Sequence, residues 1–484
     1  MYRGSAAGVT VALPLKGGLY MDNLMHKIID DDFENLLKDL QSSLLIRSVF
    51  DEASVSKKHP FGPGLSKALD NFLQCAEKLG FRTANISNYA GYAEMGEGER
   101  LVGILAHLDV VPEGDLKSWT VPPYSADIVD GRLYGRGSVD DKGPAFSALY
   151  AMKAMRDSGF SFDCRVRLIV GLDEESGGRC IARYLETEEI PDVSFSPDAN
   201  FPLINAEKGI FHCWIEKEFS NSEKGTDLRL VSIKGGERYN VVPDSAEAVF
   251  DGSFDEKIIA KLKSENGISV EGTKEGTIIK AKGVSAHAMS PELGTNAIEL
   301  LLGVLSSFDW EPREFSEFIG KAAESFRGTD GAGLGLERSD EVSGALTFNT
   351  AKIRLNDGVC RLSFDLRYPV TLSGDELAKD FRRSAEKLGA KFFLDRDKKP
   401  LFVDPSSPLI KKLLEAYEKI TGVTAEPLSI GGGTYCRYLP NSVSFGPVFP
   451  GTPDVIHQPD EYITLADLRK ITHIYAEALV LLTV

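Results

Sequence analysis

Six cysteines in 484 residues, Cys75, Cys164, Cys180, Cys213, Cys360 and Cys436, lie far apart with no C-x-x-C pair. That spacing excludes a disulfide framework and a zinc ribbon, and the six read as buried thiols of a reducing, cytoplasmic compartment. Basic residues are scarce beside acidic ones: 55 against 72 gives a formal charge of −17. A surface of that sign repels phosphate backbones, so nucleic acid is excluded as a main partner. No apolar run approaches the roughly 20 residues that a spanning helix needs, so no membrane partner is expected. The first twenty residues also lack a secretion signal, because the apolar run Val9–Leu15 is short, contains Pro14 and is followed by Lys16. Residues 1–20 are therefore read as a leader or expression remnant, with Met21 as a start.

What is present is enough apolar sequence, 42%, to build more than one core. Leu65, Leu69, Phe72, Leu73, Ala76 and Leu79 recur at helical spacing, and Gly80 stands where a helix needs a left-handed stop. Leu101–Leu108 and Val166–Leu172 are short apolar runs of the kind buried on both faces of a sheet. Gly143–Arg156 between them reads as a helix, and the rhythm continues through Ile181–Leu185 and Val193–Phe195. This predicts an α/β layer. After Asn205 the pattern changes to half-exposed alternating strands, at Gly209–Phe219, Leu228–Ile233, Ala246–Phe250, Thr277–Ala281, Ala351–Leu355 and Val359–Leu366, with helices at Ala297–Leu305 and Glu376–Lys387. The α/β character returns with helices at Pro408–Ile420 and Leu465–Leu482 and a strand at Ser442–Phe445. The expected organisation is a catalytic domain of residues 21–206 and 400–484, interrupted by an inserted α+β domain of residues 207–399.

Five polar clusters follow these strands or lie in turn-rich loops. His107-Leu-Asp109 ends one strand, and side chains two apart on a strand share a face. Asp140-Asp141 follows a glycine-rich turn and precedes a helix, where one of the two can simply cap it. Asp173-Glu174-Glu175 ends the second buried strand, where three acids repel each other unless a cation or a proton intervenes. Ser196-Pro-Asp198 follows a third strand, and His457 sits in a loop rich in Gly, Pro and Asp. Each alone has an ordinary explanation as a surface pair, a cap or a solvated turn. Together, at one edge of one sheet, two His and three or four carboxylates without a thiolate suit a pair of cations, Zn²⁺ first and Mn²⁺ or Co²⁺ as substitutes.

In order and spacing, His107-x-Asp109, Gly135-Arg-Gly-Ser-Val-Asp-Asp-Lys-Gly143, Asp173-Glu-Glu-Ser-Gly177, Ser196-Pro-Asp198 and His457 resemble the dinuclear zinc metallopeptidase family of aminoacylases, desuccinylases and glutamate carboxypeptidase. Gly431-Gly-Gly-Thr-Tyr-Cys-Arg437, Phe445-Gly-Pro447 and His457-Gln-Pro-Asp-Glu-Tyr462 look like its PepV-type dipeptidase branch, although Cys436 stands where a small residue is usual. The resemblance implies a three-layer catalytic domain with an inserted, doubled α+β lid and two zinc ions per chain. His107 and Asp198 would bind one ion and Glu175 and His457 the other, with Asp140 bridging. Asp109 would orient His107, and Glu174 would be the general base. A cis peptide is common in the family at the Asp140-Asp141 step. In the lid, His287 matches the histidine that stabilises the oxyanion, while Asn240, Arg367, Gly432, Gly433 and Thr434 match positions that hold the substrate carboxylate or line its pocket. His26, His59, His212 and His473 have no part in these motifs and are assigned to structure or solvent.

The implied function is a zinc-dependent dipeptidase acting on small peptides with a free N-terminus by metal-hydroxide attack on the peptide carbonyl. The alternatives are an N-acyl amino acid amidohydrolase of the same fold and a non-catalytic peptide- or metal-binding protein. A lid near twice the usual size implies a monomer, since its second half can replace a partner subunit's surface.

Overall fold

The computed structural model describes residues 17–219, 228–252, 254–273 and 276–484; most of the segment read as a leader, residues 1–16, lies outside them. The chain divides into two compact units, one of residues 17–205, Val403–Leu428 and Thr434–Val484, the other of Ala206–Phe402 and Ser429–Gly433. Each has its own apolar core.

In the first unit the sheet runs in the order Arg82–Ile86, Ala90–Gly96, Arg165–Gly171, Leu101–His107, Val193–Ser196, Ser442–Ser444, and then the strand that begins at Ile204. Its centre is parallel: Leu101–His107 pairs in that sense with Arg165–Gly171 and Val193–Ser196, and Ser442–Ser444 does so with Val193–Ser196. Every residue of Leu101–His107 is buried, as the unbroken apolar run predicts for a strand covered on both faces. The register sets His107 opposite Gly171 and Ile104 opposite Phe195. The residues just beyond each strand, including Glu174, Glu175 and Asp198, therefore leave from the same edge as His107.

Helix Pro63–Lys78 buries Leu65, Leu69, Phe72, Leu73 and Ala76 against the strands Arg82–Ile86 and Ala90–Gly96. It stops at Gly80, whose φ of +87° allows Phe81 N to donate to Ala76 O. Helices Gly17–Leu44, Lys142–Asp157 and Leu465–Thr483 pack on one another, and Pro408–Thr421 packs on the last. The first of these begins inside the segment read as a leader, at Gly17.

The second unit carries one antiparallel eight-stranded sheet in the order Ile268–Thr273, Gly276–Lys282, Ser245–Asp251, Arg229–Gly235, Thr347–Asn356, Val359–Tyr368, Gly209–Glu218, Lys391–Lys398. It consists of two four-stranded halves that, among the described residues, are laddered by Lys234 with Arg354 and Gly235 with Ile353. Within either half the ladders run six to ten residue pairs. The doubled α+β pattern is this pair of halves. Ser429–Gly433, expected with the C-terminal part of the first unit, groups with the second because Lys208 N donates to Ile430 O and Arg367 Nη1 donates to Gly431 O.

Candidate metal centre

Asp140 lies between two histidines. One of its oxygens is 2.9 Å from His107 Nε2 and the other is 2.9 Å from His457 Nε2. His457 Nε2 also stands 2.9 Å from Glu175 Oε1, and Asp198 Oδ2 is 3.7 Å from His107 Nε2. One donor atom each from His107, Glu174 and Asp198, and from His107, Asp140 and Glu175, falls within 4.8 Å of the others. The five clusters that the sequence scatters over 350 residues thus meet at the edge of the first sheet.

Their local frames explain how. Gly137 has φ +91°, and Gly143 has no room for a side chain because a Cβ there would lie 2.1 Å from Ser138 O. The turn 137–143 is thereby folded tightly enough to bring Asp140 under the strand end. The Asp140–Asp141 peptide is cis. Asp141, fully buried, uses one carboxylate oxygen to accept His107 N rather than to cap the helix that follows. Asp109 Oδ1 and Oδ2 accept the amides of Glu174 and Glu175 at 3.1 and 3.0 Å. His107 Nδ1 is 2.9 Å from the main-chain carbonyl of Asp109 and 3.5 Å from its carboxylate. The ring is thus held by the Asp109 backbone, and the Asp109 side chain holds the acidic loop.

The electrostatics test whether these residues fit a cation. Burial, reinforced by the charge of Asp198, pushes the Glu174 carboxyl well above the usual range. Burial and the charge of Asp140 push Glu175 up to about 7, and the same two causes push Asp198 up to about 6. Burial opposes charge on His457, yet hydrogen bonding to Asp140 and Glu175 outweighs it and raises the imidazole to about 11. His107 is raised in the same way, burial being overcome by Asp109, Asp140 and Asp198. Asp140 moves the other way: burial opposes its charge, yet His107 and His457 hold it well below the usual carboxylate range. One oxygen of Asp140 is buried, has no hydrogen-bond partner and yet is 2.9 Å from a ring nitrogen, an arrangement of ligands sharing an ion rather than a hydrogen bond. The donor set, His and carboxylate without thiolate, fits a pair of divalent ions.

Two further groups frame the site that the motifs did not single out. Glu461, fully buried, accepts Gly137 N and Val139 N at 3.0 Å and Asp140 N at 3.4 Å on Oε1, and Arg136 Nη1 at 2.7 Å on Oε2. Lys142, also fully buried, donates to Ser43 O and Ile46 O at the end of the long first helix.

The second unit assembles most of the remaining candidates. Asn240 O accepts Ala288 N, Val241 bridges to His287, and His287 Nδ1 accepts Met289 N at 3.0 Å. Both Asn240 and His287 are exposed. Gly431 packs against Met289, which a Cβ at that position would meet at 2.8 Å. Arg367 is buried, paired with both oxygens of Asp365 at 2.7 and 2.8 Å, and donates to Gly431 O at 3.1 Å. His212, assigned to structure, bonds to Asp365 at 3.1 Å and stacks on Tyr239. Gly432 and Gly433 continue the Gly431 segment, whereas Thr434 belongs to the first unit, where its hydroxyl is 2.9 Å from Ser444 Oγ.

Residues 103–480 match the model of peptidase family M20/M25/M40. The chain belongs to that family. The M20 assignment is reinforced by a Bacillus subtilis protein named "Putative dipeptidase YtjP", 40% identical over 455 residues that cover 92% of this chain and 96% of that one. A Staphylococcus haemolyticus protein, "Putative dipeptidase SH1171", is 36% identical over 456 residues with the same coverage. Among solved structures, the fold matches the dipeptidase Dug1p of Saccharomyces cerevisiae, with a TM-score of 0.57, 14% identity and coverage of 96% of this chain and 98% of that one. Human carnosine dipeptidase 1 gives 0.56, 14%, 96% and 99%.

Proposed function

We propose that this M20 peptidase is a zinc-dependent dipeptidase. The observation that carries the reading is Asp140, whose two oxygens face two histidines from opposite sides while Glu175 and Asp198 close the set. His107 and Asp198 would hold one ion and Glu175 and His457 the other, with Asp140 available to both. Bound divalent ions supply positive charge that acidifies water and polarises the scissile carbonyl. Glu174 is the base: it takes the proton of the attacking water and returns it to the leaving amine. Asp109 holds Glu174 and Glu175 apart by their separate amides, so each keeps its own task.

The second unit supplies recognition. His287 donates to the developing oxyanion, Asn240 lines the pocket, and Gly432 and Gly433 offer main-chain amides to the substrate carboxylate, with Thr434 following. Arg367 stands behind that loop through its bond to Gly431 O. The likeness to chains named as dipeptidases supports a two-residue substrate with a free N-terminus. The six cysteines, free and buried, support a cytoplasmic setting, and the doubled second unit supports a monomer. Among the described residues no helix is long and apolar enough to cross a membrane.

The deciding experiment is a panel of dipeptides and N-acetyl amino acids assayed before and after removal of metal by chelation. Dipeptide turnover that is lost on chelation and restored by Zn²⁺, Mn²⁺ or Co²⁺ is expected. Turnover of the acylated amino acids alone would make the chain a deacylase. Full activity in a verified metal-free sample would overturn the mechanism.

A further inference from the structure

His457 and Asp140 come from segments more than 300 residues apart, yet His457 Nε2 lies 2.9 Å from Asp140 Oδ2, where the two would share an ion. What holds the two segments together is the buried pair Arg136–Glu461. Glu461 lies four residues beyond His457 and just before the strand Tyr462–Thr464, which pairs with Arg132–Tyr134. Its main-chain O accepts Gly135 N. One oxygen of its side chain gathers the amides of Gly137, Val139 and Asp140, and the other accepts Arg136 Nη1. Arg136 in turn reaches back to the His457 loop, donating to Gln458 O at 3.2 Å and to His457 O at 3.3 Å, with its guanidinium 5.1 Å from the Trp119 ring. The pair therefore fixes the backbone on both sides of the Asp140–His457 contact. His457 needs such support, because its φ is +62°, a conformation that a non-glycine residue adopts only when its surroundings impose it. A buried ion pair commonly adds little net stability. Its worth here lies in what it places.

We infer that Arg136 and Glu461 are positioning residues for the ion held by Glu175 and His457. The inference rests on the two-metal reading above. It predicts that weakening the pair releases one ion more readily than the other, because His107 and Asp198 are set by the strands Leu101–His107 and Val193–Ser196 and not by this pair.

The test uses the full chain, stripped by chelator and titrated with Zn²⁺ by calorimetry and with Co²⁺ by visible absorption. Wild type should bind two ions. Glu461→Gln should weaken one of the two steps roughly 10–100-fold, the range for groups that orient metal ligands, alter the Co²⁺ spectrum, and regain turnover as Zn²⁺ is raised. Arg136→Lys, which keeps the charge but not the fork of donors, should fall between the two and guards against a misfolded Glu461→Gln. The control is Glu94→Gln, which breaks another buried pair, Glu94 with Arg167, away from the site. It should lower the melting temperature and leave both binding steps as in wild type. Two wild-type binding steps in Glu461→Gln and Arg136→Lys would overturn the inference and leave the two-metal reading standing. So would metal affinity that falls in all three variants only in proportion to melting temperature. A wild-type chain that binds no metal would overturn both.

Discussion

The carboxylate of Asp109 accepts the amide of Glu174 on one oxygen and, on the other, that of Glu175. Two adjacent acids are thereby anchored separately in the turn that follows the strand Arg165–Gly171. Their assigned roles differ accordingly, one a base and one a ligand. Glu174→Ala should keep both metals and lose about 10²–10⁴-fold in kcat, the usual worth of a general base. Glu175→Ala should lose metal. Elemental analysis beside kcat separates the two, and a loaded Glu175→Ala with a metal-poor Glu174→Ala would reverse the roles.

His287 is on the second unit of the same chain as the metal ligands. If that chain supplies its own oxyanion donor, mixing Glu174→Ala with His287→Ala should restore no turnover, and light scattering should give a monomer mass. Recovery of a substantial fraction of wild-type activity would show that the histidine comes from a partner subunit.

Stability should fall in mild acid through a histidine pair remote from the metal site. His26 Nδ1 lies 2.8 Å from His473 Nδ1, and their other nitrogens face Glu477 and Asp30, which are themselves paired with Lys419 and Arg469. Burial, and then the charge of His26, lowers the His473 imidazole below its ordinary value. A base that is harder to protonate when folded favours the native state above its unfolded value, near 6.5, and this advantage is lost as pH falls through the folded value. The melting temperature should therefore drop between pH 7 and pH 5, and drop less in His473→Gln. Equal slopes for the two proteins would contradict this.

Glu299 gives the opposite sign. Burial pushes its carboxyl up to about 7, although the Gly328 amide favours the charged form. Its contribution is fully present below the unfolded value, near 4.3, and is lost as pH rises through 7. Glu299→Gln should thus raise the melting temperature at pH 8 and leave it nearly unchanged at pH 4.5. A gain that does not depend on pH would mean that packing, not ionisation, is responsible.

The sequence discloses the metal centre more readily than its supports. His107, Asp140, Glu174, Glu175, Asp198 and His457 stand out because buried strands are obvious apolar runs, and acids or histidines directly after them have few ordinary reasons to converge. Arg136 and Glu461 are hidden in the same motifs, since nothing in a sequence distinguishes a buried guanidinium from an exposed one. Lys142 is hidden for the same reason. The helix Glu256–Ser264 and the edge strands Ile268–Thr273 and Lys391–Lys398 escape the periodicity because their outer faces are polar and few of their residues are deeply buried. The helix Arg313–Ser325, absent from the sequence reading, does carry helical spacing in its buried Phe315, Phe318, Ile319 and Ala322. The first two strands of the catalytic sheet escape because Arg82–Ile86 and Ala90–Gly96 carry Arg, Asn, Gly and Glu where a run of β-branched residues would announce a strand.

The two-pair ladder between the halves of the second sheet makes that sheet a seam as much as a surface. A full ladder shares its load over many hydrogen bonds, but here Arg354 lends its own side chain to the joint, donating to Gly235 O and Gly236 O beside the pairs it already makes. The halves are thus joined by a side chain where the main-chain pairs run out, and by the apolar core that both of them share.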